Sequence, residues 1–236
     1  MGDLSYIRGE QSVIECLCFQ ATPSEVTAVL GPNGVGKSTL FDVLSGTISD
    51  WPEQKDKMNA SYMIQEYSNS LLPWASVKEN LNIGYSYSDK EYYERIIKLN
   101  EYFGDVFNIF LDNGKKPVSY LSGGQKQRLT FLRTCLSDAK VSIFDEPFSS
   151  IDITTRYKLS RGLRLWALSN NRVVLVSLHM IEEAMFLADR ILVFHDSPLN
   201  NYTLYNMPEG DRTDEWLAKR EVSEIRANIG SALYIP

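Results

Sequence analysis

The sequence predicts an α/β domain in which a mostly parallel sheet alternates with helices and an all-helical segment is inserted part-way. Three observations carry that prediction. Short apolar runs at 25–30 (EVTAVL), 141–144 (VSIF), 173–177 (VVLVS) and 190–194 (RILVF) lack the in-out alternation of half-exposed strands and read as strands covered on both faces. Helical patterns separate these runs, as a parallel sheet requires. Between about 66 and 138 apolar residues recur at helical spacing, with no strong strand signal before Lys140. A chain of 236 residues can bury a substantial core without disulfides or metals.

In chain order, the first strand-like run holds Cys16 and Cys18. That spacing is not a zinc site, and the total of 3 cysteines leaves one unpaired, so core thiols in a reducing cytosol are expected. The run at 25–30 ends in a glycine loop. A helix follows with Leu40, Val43 and Leu44 on one face, and Gly46 can end it. From 89 to 113, Tyr92, Ile96, Leu99, Phe103, Val106 and Phe110 keep helical spacing, broken near Gly104. Ser122 can cap a helix starting at Gly123, with Leu129, Leu132 and Leu136 on its apolar face. A last helix is expected from the Thr213 or Asp214 cap to Gly230.

The net charge of -6 provides no basic field, so nucleic acid is not an expected partner, although Lys126 and Arg128 form a local cationic spot. No basic leader followed by an apolar stretch opens the sequence. Nor do about eighteen apolar residues run together as a membrane span needs. A cytosolic chain is expected, with any membrane connection made through a partner.

Chemistry is written first in GPNGVGKST, Gly31, Pro32, Asn33, Gly34, Val35, Gly36, Lys37, Ser38 and Thr39. It satisfies the phosphate-loop pattern G-x-x-x-x-G-K-[ST] between a strand and a helix. The glycines let backbone N–H groups face phosphate oxygens, Lys37 reaches the β and γ phosphates, and Ser38 offers a hydroxyl to Mg²⁺. The run VSIFDEP delivers Asp145 and Glu146 to a strand end: Asp145 suits the Mg²⁺ shell and Glu146 the general base. In LSGGQKQR, Ser122, Gly123, Gly124 and Gln125 make a second helix mouth suited to an anion.

LSGGQKQR resembles the signature of the ATP-binding cassette (ABC) ATPases. With GPNGVGKST, QEYSNSLLPW, IFDEPFSSID and SLH it runs in that family's order over nearly the whole chain. The resemblance implies a P-loop NTPase core of RecA-like type (about 1–65 and 139–236), a helical subdomain (about 66–138) and a small antiparallel β-subdomain, here trimmed because the interval from Lys37 to Gln65 is short. It implies ATP and Mg²⁺ as ligands. It also implies a second cassette, identical or not, whose signature closes over the nucleotide. Carried over by position, Gln65 resembles the glutamine that senses Mg²⁺ and the attacking water. Asp152 resembles the aspartate crossing the dimer interface, and His179 the switch histidine at the γ-phosphate. Met180 stands where the family usually has Asp. Tyr6 is the nearest candidate for stacking on adenine, and His195 lies in no motif and reads as a surface residue.

Leu71, Leu72, Pro73 and Trp74 place an apolar cluster just after Gln65. This LLPW segment resembles importers of nitrate, taurine and aliphatic sulfonates, which implies that permease subunits dock near Leu71–Trp74. It further implies an extracytoplasmic solute-binding protein and a peripheral position on the cytoplasmic membrane face. An exporter or lipid-extraction motor, a soluble non-transport ABC ATPase, and a purely interior role for Leu71–Trp74 remain alternatives at this point.

Overall fold

The computed structural model describes residues 4–48, 59–84 and 87–233. The elements run β1 (Leu4–Arg8), β2 (Gln11–Leu17), β3 (Glu25–Leu30), α1 (Lys37–Ser45), β4 (Ala60–Met63), α2 (Val77–Leu81), α3 (Asp89–Phe103), α4 (Asn108–Asp112) and α5 (Gly123–Leu136). They continue with β5 (Val141–Asp145), α6 (Ile153–Ser169), β6 (Val173–Ser177), α7 (Ile181–Leu187), β7 (Arg190–Phe194), β8 (Tyr202–Asn206), α8 (Asp214–Leu217) and α9 (Arg220–Leu233). The main sheet has the order β4-β5-β6-β3-β7-β8, parallel except for the β7–β8 edge. The four unalternating runs are its interior strands, and their residues are almost wholly buried, as their composition requires.

Between Gln65 and Ser137 the described residues form only α- and 3₁₀-helices. Tyr92, Ile96, Leu99 and Phe103 all turn inward from α3, which stops before Gly104. Phe131 of α5 fastens this helical part to the sheet. Its ring lies 4.8 Å from that of Phe144 on β5 and 5.6 Å from that of Phe103, giving contacts worth about 0.5–1.5 kcal/mol each beyond area burial. On the other sheet face, Leu40, Phe41, Val43 and Leu44 of α1 pack with Ile143, Leu175 and Leu192.

The small antiparallel sheet consists of β1 and β2 among the described residues. Positions 49–58 of the short interval lie outside them. Several expectations are corrected. Cys16 and Cys18 are exposed, because the chain turns at Cys16, whose φ is 49°, and this break in the alternation after Ile14 gives the inner face to Leu17 and Phe19; only Cys135 is a core thiol. The terminal helix is two helices, separated at Ala218–Lys219, and Gly230 lies inside α9 rather than ending it. His195 is half-buried and bridges the Ala232 carbonyl and the Thr203 hydroxyl, each at 2.9 Å.

Candidate active site

Strand register assembles the site. Val29 of β3 pairs with Ser177 of β6, Ser177 pairs with Asp145 of β5, and Phe144 pairs with Met63 of β4. The strands are parallel, so the segments that follow them emerge at one sheet edge: Gly31–Ser38, Gln65, Glu146 and His179. Sheets of this kind place their ligands at that edge.

The loop from Gly31 to Gly36 is closed around its own lysine. Lys37 Nζ donates to the carbonyls of Gly31 and Pro32 at 2.8 and 3.0 Å. Gly34 and Gly36 have φ of 78° and 118°, and a side chain on Gly31 would press within 3.0 Å of the Phe194 carbonyl. The first helical bond of α1 runs from Leu40 N–H to Gly36, so the amides of Lys37, Ser38 and Thr39 precede the ladder and are available to an anion. Burial lowers the Lys37 pKa, and the charges of Glu146 and Asp145 oppose that shift.

Asp145 is buried at the end of β5. Ser177 Oγ donates to its Oδ1, Ser38 also hydrogen-bonds it, and Tyr62 donates to Oδ2 at 3.4 Å. Burial raises its pKa above the ordinary carboxylate value, against the pull of Ser177, Ser38 and Lys37. The next residue, Glu146, has a φ of 48°, uncommon for a side-chain-bearing residue, and its N–H donates to Ser177 Oγ at 2.9 Å. That turn throws the carboxylate out of the strand. Gln65 Nε2 donates to Glu146 Oε1 at 2.8 Å and His179 Nε2 lies 2.6 Å from the same oxygen. Both partners hold one oxygen, which leaves Oε2 to accept a proton.

The signature stretch lies on a different helix. Ser122 caps α5, accepting from Gln125 N–H at 3.3 Å, while Gln125 Oε1 accepts from Ser122 N–H at 2.9 Å. The glycine pair serves the chain itself: a Cβ on Gly124 would lie 2.8 Å from the Ser150 carbonyl oxygen, and one on Gly123 would lie 3.3 Å from the Tyr67 hydroxyl. Asp152 is exposed and caps α6, accepting from Thr155 N–H at 2.9 Å. That bond holds its carboxyl below the usual range. Tyr6 is half-buried against the β1–β2 side of the core.

Three residues missed in the sequence complete the site: Ser177, Tyr62 and Gln127. Ser177 joins Asp145 to the Glu146 backbone. Gln127 is fully buried in α5, donating to the Glu146 carbonyl at 3.1 Å and to Ser149 Oγ at 3.0 Å, and accepting from Ser150 N–H at 2.8 Å. One signal was available: Gln127 lies one turn before Phe131 on the same side of the helix, opposite the Leu129–Leu132–Leu136 face, where a large apolar residue marks a second buried side.

Comparison with known proteins bears on the family and the fold. Residues 14–149 match the family model described as ABC transporter. The chain belongs to that family. It is 33% identical over 204 residues to the formylaminopyrimidine import ATP-binding protein ThiZ of Halalkalibacterium halodurans, covering 83% of this chain and 78% of that protein. It is 32% identical over 221 residues to the aliphatic sulfonates import ATP-binding protein SsuB 1 of Pseudomonas syringae, covering 91% and 89%. Its fold superposes with a TM-score of 0.70, at 18% identity, on a dimeric ATP-binding cassette in a post-hydrolysis state with ADP and Pi, covering 89% of this chain and 97% of that one. As an ABC ATPase, the chain binds and hydrolyses ATP to power transport.

Proposed function

We propose that this subunit drives an importer of small organic solutes, sulfonates or comparable compounds, as one half of a head-to-tail pair of cassettes. The observation that carries the mechanism is Glu146, turned out of β5 at positive φ and held on one oxygen by Gln65 and His179. The names of the relatives, which refer to import of sulfonates and of formylaminopyrimidine, support the solute class over an exporter or a soluble ATPase.

The residues divide the work. Lys37 leaves the carbonyls of Gly31 and Pro32 for phosphate oxygens, and the amides of Lys37, Ser38 and Thr39 add donors. Glu146 Oε2 accepts the proton of the attacking water, while Gln65 and His179 fix the carboxylate's direction. Ser38, Asp145 and Gln65 would hold Mg²⁺. The hydroxyl and carboxylate already meet, a hard-oxygen pair suited to an ion that shares its shell with phosphates. Once bound, Mg²⁺ offsets phosphate charge. Ser122, Gly123, Gly124, Gln125 and Asp152 face the nucleotide of the second cassette, and Tyr6 is the candidate for base stacking.

Docking to permease subunits falls to the surface around Trp74. Leu71 is only 5% exposed and belongs to the core, whereas Trp74 is 77% exposed. Backbone bonds from Val118 to Ala75 and from Ser119 to Pro73 bring Tyr120, 79% exposed, into the same ridge. The exposed apolar ridge supports docking of a helix from a membrane subunit, with the chain lying peripherally at the cytoplasmic face. In such a system a solute-binding protein outside the membrane supplies the cargo.

The test is Glu146→Gln with saturating Mg·ATP. Turnover should fall by about 10²–10⁴ while ATP binding persists, and light scattering should show a nucleotide-dependent dimer. A monomer with undiminished turnover would refute the reading.

A further inference from the structure

The guanidinium of Arg156 touches three segments that the reaction has to coordinate. Arg156 sits in the first turn of α6. Its Nη2 donates to the Ile151 carbonyl at 3.2 Å, Nη1 lies 3.9 Å from Met180 Sδ, and Nε lies 3.6 Å from Glu183 Oε1 on α7. Ile151 precedes Asp152, and Met180 follows His179. Thus one side chain spans from the turn carrying Asp152 to the loop carrying His179.

Two further details make this more than a packing contact. Arg156 Nε and Glu183 Oε1 are both buried atoms without a hydrogen-bond partner, and they face each other just beyond bonding distance. Two desolvated opposite charges left apart in this way gain from any small approach of α7 toward α6. Moreover, Met180 cannot act as a carboxylate acceptor, but positions 180 and 183 lie on one face of the chain entering α7, three residues apart. Glu183 therefore supplies the negative charge that Met180 does not. Burial raises its pKa, while the charges of Arg156 and His179 oppose that shift. His179 thus holds Glu146 Oε1 with its ring, while its chain neighbour Met180 is touched by Arg156.

We propose that Arg156 and Glu183 form a strut that sets the position of His179 according to the position of the Ile151–Asp152 turn. They are positioning residues for hydrolysis, touching neither nucleotide nor water. A displacement of the turn, such as a second cassette pressing on Asp152 would cause, passes through the Ile151 carbonyl to Arg156 and from there to the histidine loop. This rests on the proposed role of His179 only for its effect on rate; the mechanical link stands on the contacts of Arg156 with Ile151, Met180 and Glu183 and on the bond from Met180 to His179 along the chain.

The experiment exploits the fact that the chain has only 2 histidines, His179 and His195. In proton NMR of the full chain the His179 ring signals are assigned by their loss in His179→Ala. Arg156→Ala and Glu183→Gln should each move the His179 signals while leaving those of His195 in place. Each should lower kcat about tenfold or more, as misplacement of a positioned group does, with KM for ATP within about twofold. Arg156→Lys, which keeps the charge but cannot span three partners, should fall between, and the double variant should be no slower than the slower single one. Immobile His179 signals in both variants would overturn the strut, as would rate losses that simply multiply. Signals that move without loss of rate, in company with an active His179→Ala protein, would uphold the strut and refute the catalytic reading of His179.

Discussion

Replacing Gln127 by Leu keeps the side chain's bulk and removes only its hydrogen bonds. The structure says what is left behind. Ser150 N–H loses the amide oxygen at 2.8 Å and the Glu146 carbonyl loses the amide nitrogen at 3.1 Å, while the Ser149 hydroxyl can rotate to another partner. These groups are only partly buried, and the Glu146 carbonyl keeps the Ser149 N–H at 3.4 Å, so the loss is that of ordinary hydrogen bonds, about 0.5–1.5 kcal/mol each. The lost bonds, offset in part by the better burial of leucine, give a net loss of about 2 kcal/mol. For a domain of this size each kcal/mol lowers the midpoint by about 2–4 °C, so thermal unfolding followed by circular dichroism should move down by about 4–8 °C. The same change loosens the turn that aims Glu146, so kcat should fall, whereas ATP affinity should hold because Gln127 bonds nothing in the Gly31–Thr39 loop. A midpoint within about 2 °C of the parent would show that the amide is not what ties α5 to the Glu146–Ser150 turn.

Two further outcomes follow from the site. Asp145 has a raised pKa because it is buried, so the folded state holds its proton more tightly than the unfolded one. Its stabilising contribution is present below the ordinary carboxylate value and is lost as pH rises through the raised one. Asp145→Asn, permanently neutral, should therefore be more stable than the parent without nucleotide at neutral pH, converge with it in acid, and lose Mg²⁺-dependent turnover; melting curves across pH check this. Trp74→Ala should change the midpoint by little, since Trp74 is largely solvent-exposed, but should weaken co-purification with permease subunits. Unchanged recovery of the complex would remove the ridge from the docking surface.

Much of this was legible in the sequence because the relevant signals are local. Strand interiors show as unalternating apolar runs, α1 ends at Gly46 in left-handed conformation, and Ser122 caps α5 where its hydroxyl predicts. What escaped was set by tertiary pairing. Ser177 reads as the unremarkable end of VVLVS, and only the register that puts it opposite Asp145 makes it a site residue. Cys16 and Cys18 were misplaced because cysteine's general preference for burial was outweighed by the break in alternation at Cys16, which no local signal announces. His195 offered no motif, and its bridge to Ala232 depends on where α9 returns along the sheet.

The absence of a side chain at Gly124 fuses two edges of the molecule. With the Ser150 carbonyl where any methyl group would have to go, the lip formed by Ser122–Gln125 and the ridge at Ser149–Asp152 have no clearance between them. Contact at that point lets a load applied at the lip reach the ridge, and even an alanine at this position would wedge the two apart.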